Sequence, residues 1–177
     1  GLPLYQKKCT LLDAFCQGIE SWWSLNTTDE SISYSKIAVE SIIKNYEAYI
    51  YKNSETAAKS ILLAANYSGR AINISQTTAP HAMSYKLTSL YKIPHGHAVA
   101  LCLPEVWRFM DKNIHKCVDP RGSGYLDNIF KQIAAAMGTT SASKAIDRFE
   151  LILSSMNINK PCRTDSDDLH TLSESVN

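Results

Sequence analysis

The sequence predicts an all-α domain, and three observations carry that prediction. Glycine and proline are scarce, seven and six residues out of 177, so few positions force the chain to break. Apolar residues recur at spacings of three and four over long stretches, the period of a helix with one buried face. Helix-start and helix-stop residues punctuate those stretches. No strand is needed, and the expectation is a bundle of about seven helices in a single domain over residues 1–177.

The elements follow in order. The first helix is expected from about Cys9 to Ser24, with Leu11, Leu12, Phe15, Cys16, Ile19, Trp22 and Trp23 as its apolar positions. Thr27 and Glu30 form a capping-box pattern that opens the second. Its face carries Val39, Ile42, Ile43, Tyr46, Tyr49 and Ile50, and it ends near Asn53. Ser54 caps a third helix rich in alanine (Ala57, Ala58, Ala65) that runs past Gly69. So many small residues suggest a central helix packed closely by its neighbours. A fourth helix starts after Pro80 and reaches about Leu90. Pro94 suits the first turn of a fifth, which runs through Ala98, Leu101, Val106 and Phe109. The stretch CVDPRGSG reads as a loop. Two more helices follow at about Tyr125–Met137, stopped by Gly138, and Ala142–Met156. The polar tail NKPCRTDSDDLHTLSESVN ends in a short helix.

Bulk properties exclude several classes. A formal net charge of +1 gives no general pull toward nucleic acid or a membrane surface. No apolar run reaches the roughly 18–20 residues needed to span a bilayer. The five cysteines (Cys9, Cys16, Cys102, Cys117, Cys162) fit neither a disulfide framework nor a zinc knuckle, which points to a reducing cytoplasm. The opening GLPLYQKK carries no signal-peptide pattern.

Chemistry centres on histidine. His81 and His95 stand 14 residues apart, one early in the fourth helix and the other opening the fifth. A helical hairpin can bring both imidazoles to one point, as a metal site requires. His97 points elsewhere if the backbone is helical, while His115 and His170 lie in polar surroundings. Asp13 and Gln17, at i and i+4 on the first helix, can reach one ligand from the same face. They equally form one polar stripe with Glu20 and Ser24, and such a stripe is ordinarily a solvated face.

The segment YKIPHGHAVALCLPEVWRFM (residues 91–110) resembles the signature of the iron-type alcohol dehydrogenases. Tyr91, Ile93, Pro94, His95, Gly96, Ala98, Ala100, Leu103, Pro104, Val106 and Phe109 fall in place. LLDAFCQGIESWWS resembles the family segment that carries a ligand aspartate, matching at Asp13, Ala14 and Glu20. SGRAINISQTTAPHAMSY resembles the helix that supplies a ligand histidine, here His81. The resemblance covers Leu11 to about Phe109. It implies the C-terminal, metal-binding helical domain of a dehydroquinate-synthase-like fold, with Asp13, His81 and His95 as ligands to a divalent metal, Fe2+ or Zn2+.

Gln17 stands where the family keeps a fourth ligand, a histidine. A glutamine oxygen there binds weakly, leaves the position to water, or marks a metal loosely held or absent. Tyr85 replaces a histidine found in many members, and Thr77, Thr78, Ala79 and Pro80 replace the family's glycines.

The resemblance further implies an NAD(P)H-dependent dehydrogenase acting on a small aldehyde or alcohol. Tyr85 or His97 would relay the proton. The nucleotide would sit on an N-terminal α/β domain, for which this chain has no strand–glycine-rich turn–helix unit. A fragment is therefore expected, unable to bind dinucleotide or turn over by itself, whose full-length form makes a homodimer. The branch most similar in these segments is the one that reduces phosphonoacetaldehyde to 2-hydroxyethylphosphonate. Lys86, Arg70 and the helix start at His95–Gly96 would then receive the phosphonate. Two alternatives are a lyase of the dehydroquinate-synthase type and a non-catalytic helical domain that has lost its metal. The first would need a glutamate in place of Asp13 and a Gly-His-Thr element, and neither is present.

Overall fold

The computed structural model describes residues 1–161, and the expected tail helix, with Cys162 and His170, lies outside them. Among the described residues the chain is entirely helical. Seven α-helices run in the order α1 (Leu4–Trp23), α2 (Asp29–Tyr51), α3 (Glu55–Ser75), α4 (Ala79–Tyr91), α5 (His95–Lys112), α6 (Ser123–Ala136) and α7 (Ala142–Ser155). One short 3-10 turn, Ile114–Lys116, follows α5.

α1 is the axis of the bundle and packs against α2, α3, α5 and α6. Leu11, Leu12, Phe15, Cys16, Ile19 and Trp22 are fully buried along it. At roughly 1.5–3 kcal/mol for each large apolar side chain, these residues make α1 the largest helical contributor to the core. Trp107 of α5 and Phe130 of α6 close the core around Trp23. At the carboxyl end of α1, Arg121 donates to the carbonyls of Ser24, Leu25 and Thr27 while paired with the buried Asp119. This pins the loop that follows α1, from its C-cap Ser24 to Thr27.

Several expectations need correction. α1 begins at Leu4, because Pro3 occupies the N-cap and nothing in the next turn breaks the helix. The capping box of α2 is Thr28 with Ser31, one residue later than expected, and Thr27 is buried with its hydroxyl on Ser31. α3 is not central. Ala57, Ala64, Ser68 and Ala71 pack on one face, while Leu62 and Leu63 are exposed on the other. Its small residues serve close contact with α1, where Ser68 Oγ donates to the Ala14 carbonyl at 2.6 Å. Pro80 lies inside the first turn of α4, and Pro94 is the N-cap of α5. α6 starts at Ser123, two residues early. No described helix is long and apolar enough to cross a membrane, and the four described cysteines are free thiols.

Candidate metal centre

The polar stripe of α1 is not a solvated face. Glu20 is fully buried and Ser24 nearly so, while Asp13 and Gln17 are half-buried. The junction between α3 and α4 covers the stripe. Ser24 Oγ donates to the Ser75 carbonyl at 2.5 Å, and the Thr78 backbone N–H and hydroxyl both donate to Glu20 Oε2, at 2.7 and 3.0 Å. Trp23 Nε1 donates in turn to Thr78 Oγ1 at 2.9 Å.

α4 and α5 form a hairpin that meets this stripe. Lys92 takes a left-handed conformation (φ 54°) at the end of α4 and allows the tight reversal into Pro94. His81, in the first turn of α4, and His95, the first residue of α5, thereby face the same carboxylate. Asp13 Oδ1 lies 3.4 Å from His81 Nε2 and 3.7 Å from His95 Nε2. One ligand-type atom from each of the three residues falls within 4.8 Å of the others. Gly96 makes the approach possible: a Cβ there would lie 2.0 Å from the Cys9 carbonyl oxygen and 3.0 Å from Asp13 Cβ.

Hydrogen bonding decides which nitrogen each imidazole presents. His81 Nδ1 donates to Glu20 Oε1 at 2.5 Å, which leaves Nε2 facing Asp13. Ser84 Oγ spends its single proton on the His81 carbonyl at 2.6 Å, so it accepts from His95 Nδ1 at 3.3 Å. His95 therefore also offers Nε2. Burial by itself would lower the His81 pKa. The hydrogen bonds and negative charges of Asp13 and Glu20 outweigh it and push the imidazole up to about 9.

The donor set fits a divalent cation. Asp13 Oδ1 and His81 Nε2 are buried and have only a long 3.4 Å contact with each other, although buried polar atoms are nearly always closely paired. Two imidazoles and one carboxylate suit zinc or ferrous iron. The Glu20–His81 bond is the outer-shell carboxylate such sites use to fix a ligand imidazole.

The other expected site residues are placed differently. Gln17 donates from Nε2 to Asp13 Oδ2 at 3.2 Å. Tyr85 is exposed and stacks on His95, with ring centroids 5.5 Å apart and planes inclined by 16°. Lys86 is exposed on α4. Arg70 stands apart: its guanidinium lies over Tyr34, 4.0 Å from the ring centre, and lines a shallow cavity with Glu30, Asn66 and Asn73. His97, expected as a proton relay, is buried with both ring nitrogens engaged, by Tyr5 and by the Asn159 carbonyl, so neither is free to relay. An apolar cavity of about 320 Å3 opens beyond Thr78, lined by Trp23, Phe109, Met110 and Leu126, and none of the three clustered residues reaches it.

Sequence reasoning missed Glu20 and Ser84 as partners of the histidines. The available signal was the i, i+7 relation of Asp13 and Glu20 on one helix face.

Comparisons with known proteins bear on the family and the fold. Residues 8–169 match the family model for the Fe-containing alcohol dehydrogenase family, C-terminal. A phosphonoacetaldehyde reductase of Streptomyces viridochromogenes is 37% identical over 143 residues, which cover 78% of this chain and 36% of the relative. A 4-hydroxybutyrate dehydrogenase of Clostridium kluyveri is 25% identical over 183 residues, covering 99% of this chain and 47% of the relative. The solved iron-containing alcohol dehydrogenase of Thermococcus thioreducens superimposes with a TM-score of 0.86 at 21% identity, covering 98% of this chain and 44% of that one. The chain thus spans between about a third and a half of the length of these relatives.

Proposed function

Because this chain belongs to the Fe-containing alcohol dehydrogenase family, we propose that it supplies the catalytic-metal half of an NAD(P)H-dependent reductase of small aldehydes. The observation that carries the reading is the convergence of Asp13, His81 and His95, with buried Asp13 Oδ1 and His81 Nε2 joined only by a long 3.4 Å contact. Asp13 Oδ1, His81 Nε2 and His95 Nε2 would hold Fe2+ or Zn2+. When bound, the metal would act as a Lewis acid toward the aldehyde oxygen.

The chain's own residues orient the ligands and meet the substrate. Glu20 and Ser84 hold the two imidazoles in the tautomers that present Nε2. Gln17 fixes the free oxygen of the Asp13 carboxylate and so leaves Oδ1 for the cation. Tyr85, exposed and stacked on His95, is the residue we assign to proton exchange with the substrate oxygen. Lys86, one residue on, is the cation we assign to an anionic substrate group. Hydride would be supplied by a nicotinamide held on a separate nucleotide-binding domain, which the described helices do not provide.

For the substrate we propose a short aldehyde with an anionic terminus, phosphonoacetaldehyde first. The reductase of that compound is the relative with 37% identity, and the 4-hydroxybutyrate enzyme acts on another short chain ending in an anion.

The test is NADH and NADPH oxidation by the enzyme carrying both domains, with phosphonoacetaldehyde, succinic semialdehyde and propanal. Turnover of the anionic aldehydes in preference to propanal supports the reading, and equal activity on propanal sinks it. Metal analysis tests the site separately: stoichiometric Fe or Zn, lost in His95→Ala and bound more tightly in Gln17→His, is the expected result.

A further inference from the structure

His97 sits two residues beyond a proposed ligand, yet faces away from the cluster. Its ring is buried and bonded on both sides. The Tyr5 hydroxyl lies 2.8 Å from Nδ1, and the Asn159 carbonyl lies 2.9 Å from Nε2. A carbonyl only accepts, so Nε2 carries the proton and Nδ1 accepts from Tyr5. The tautomer is therefore fixed by its surroundings. One imidazole ties the first turn of α1, the first turn of α5 and the segment after α7. The Tyr5 ring also meets His97 edge-on, with centroids 6.0 Å apart.

On the adjoining residue, the α5 backbone at Gly96 rests directly on the Cys9 carbonyl of α1. The N-terminal turn of α5 is thus held against α1 by a close backbone contact and the Tyr5–His97 bond, and against the segment after α7 by the bond to Asn159. The same turn sets how far His95 stands from Asp13.

We propose that His97 is a positioning residue for the metal centre: its bonds to Tyr5 of α1 and to Asn159 after α7 fix the first turn of α5 between those two segments and thereby place His95 on the Asp13 carboxylate. The inference rests on the metal reading above. It gives the segment after α7 a role in the site, since Asn159 contributes through its backbone carbonyl although it belongs to no helix. Cation coordination tolerates only a few tenths of an ångström in ligand placement, so a small rotation of α5 registers as lost affinity.

The experiment uses the full chain, stripped of metal and titrated with Co2+ against a competing chelator. Affinity and the visible ligand-field spectrum of the bound cobalt are read together. Tyr5→Phe removes one hydroxyl from a partly exposed side chain and tests the bond without disturbing the core. His97→Leu removes both bonds. His97→Gln keeps a donor at the position of Nε2 and is the rescue variant.

The expected result is a loss of about 10-fold in His97→Leu, the low end of what supporting partners cost. A smaller loss is expected in Tyr5→Phe, a shifted cobalt spectrum in both, and partial recovery in His97→Gln. Cobalt affinity and spectrum equal to wild type in folded Tyr5→Phe would overturn the proposal, whatever His97→Leu does. Wild-type chain that binds no cobalt, or binds it equally after His81→Ala, would overturn the metal reading itself and this inference with it.

Discussion

Replacing Gly96 with alanine tests how the site is assembled. The added Cβ would stand 2.0 Å from the Cys9 carbonyl oxygen and 2.9 Å from its carbon, where ordinary contact begins at 3.4 Å. Both obstructing atoms are backbone, so no rotamer change relieves the clash, and α5 must move off α1 by roughly 1.4 Å in a tightly packed interior. Overpacking of this kind costs about 1–3 kcal/mol, and alanine's better helix propensity returns up to about 1 kcal/mol. A net loss of about 2 kcal/mol lowers Tm by roughly 4–8 °C in a chain of this size. The effect on the site is larger in proportion, because the same displacement carries His95 away from Asp13, already 3.7 Å distant, and metal sites hold their distances to about 0.2 Å. Thermal unfolding of the metal-free chain and Zn2+ titration of the same preparation measure the two effects. Gly96→Ala that unfolds at the wild-type temperature and binds Zn2+ equally well would refute the claim that backbone contact between α1 and α5 builds the site.

The hydrogen bonds and ion pairs elsewhere in the molecule give four further predictions. Glu20→Gln keeps an acceptor for His81 Nδ1 but turns an amide NH2 toward the donors of Thr78, and metal affinity should fall about 10–100-fold in a chelator competition. With His81 pushed up to about 9 in the metal-free chain, metal must displace its proton at neutral pH. Affinity should rise about tenfold per pH unit below that value, with about one proton released in calorimetry across two buffers. In the metal-free chain the charged imidazole stabilises the fold fully below about pH 6.5, and that contribution is lost as pH rises through 9. Arg121→Ala strips the partner from buried Asp119, whose carboxyl the hydrogen bonds of Arg121 hold below its usual value. With Arg121 about a third exposed, the loss should be about 2 kcal/mol at pH 7 by denaturant unfolding. Because the Asp119 pKa is depressed, that loss should fade as pH drops through the carboxylate range.

Much of this molecule is legible without tertiary information. Helix number, the Ser54 cap and the Gly138 stop are local matters: they depend on propensity, capping and the spacing of apolar side chains within a few turns. His81 and His95 are also legible, through their places in recognisable segments and the hairpin that links them.

The boundaries and the outer shell are not. A stripe of Asp13, Gln17, Glu20 and Ser24 reads the same whether water or the α3–α4 junction covers it, since the sequence of one helix does not say what packs on it. Only the fold brought Ser75 and Thr78 over that stripe, turned Glu20 from a surface carboxylate into the partner of His81, and seated His97 between Tyr5 and Asn159, 92 and 62 residues away. Hydrogen bonds of that separation depend on where whole helices come to rest. That placement follows from the packing of the entire core, which no single segment encodes.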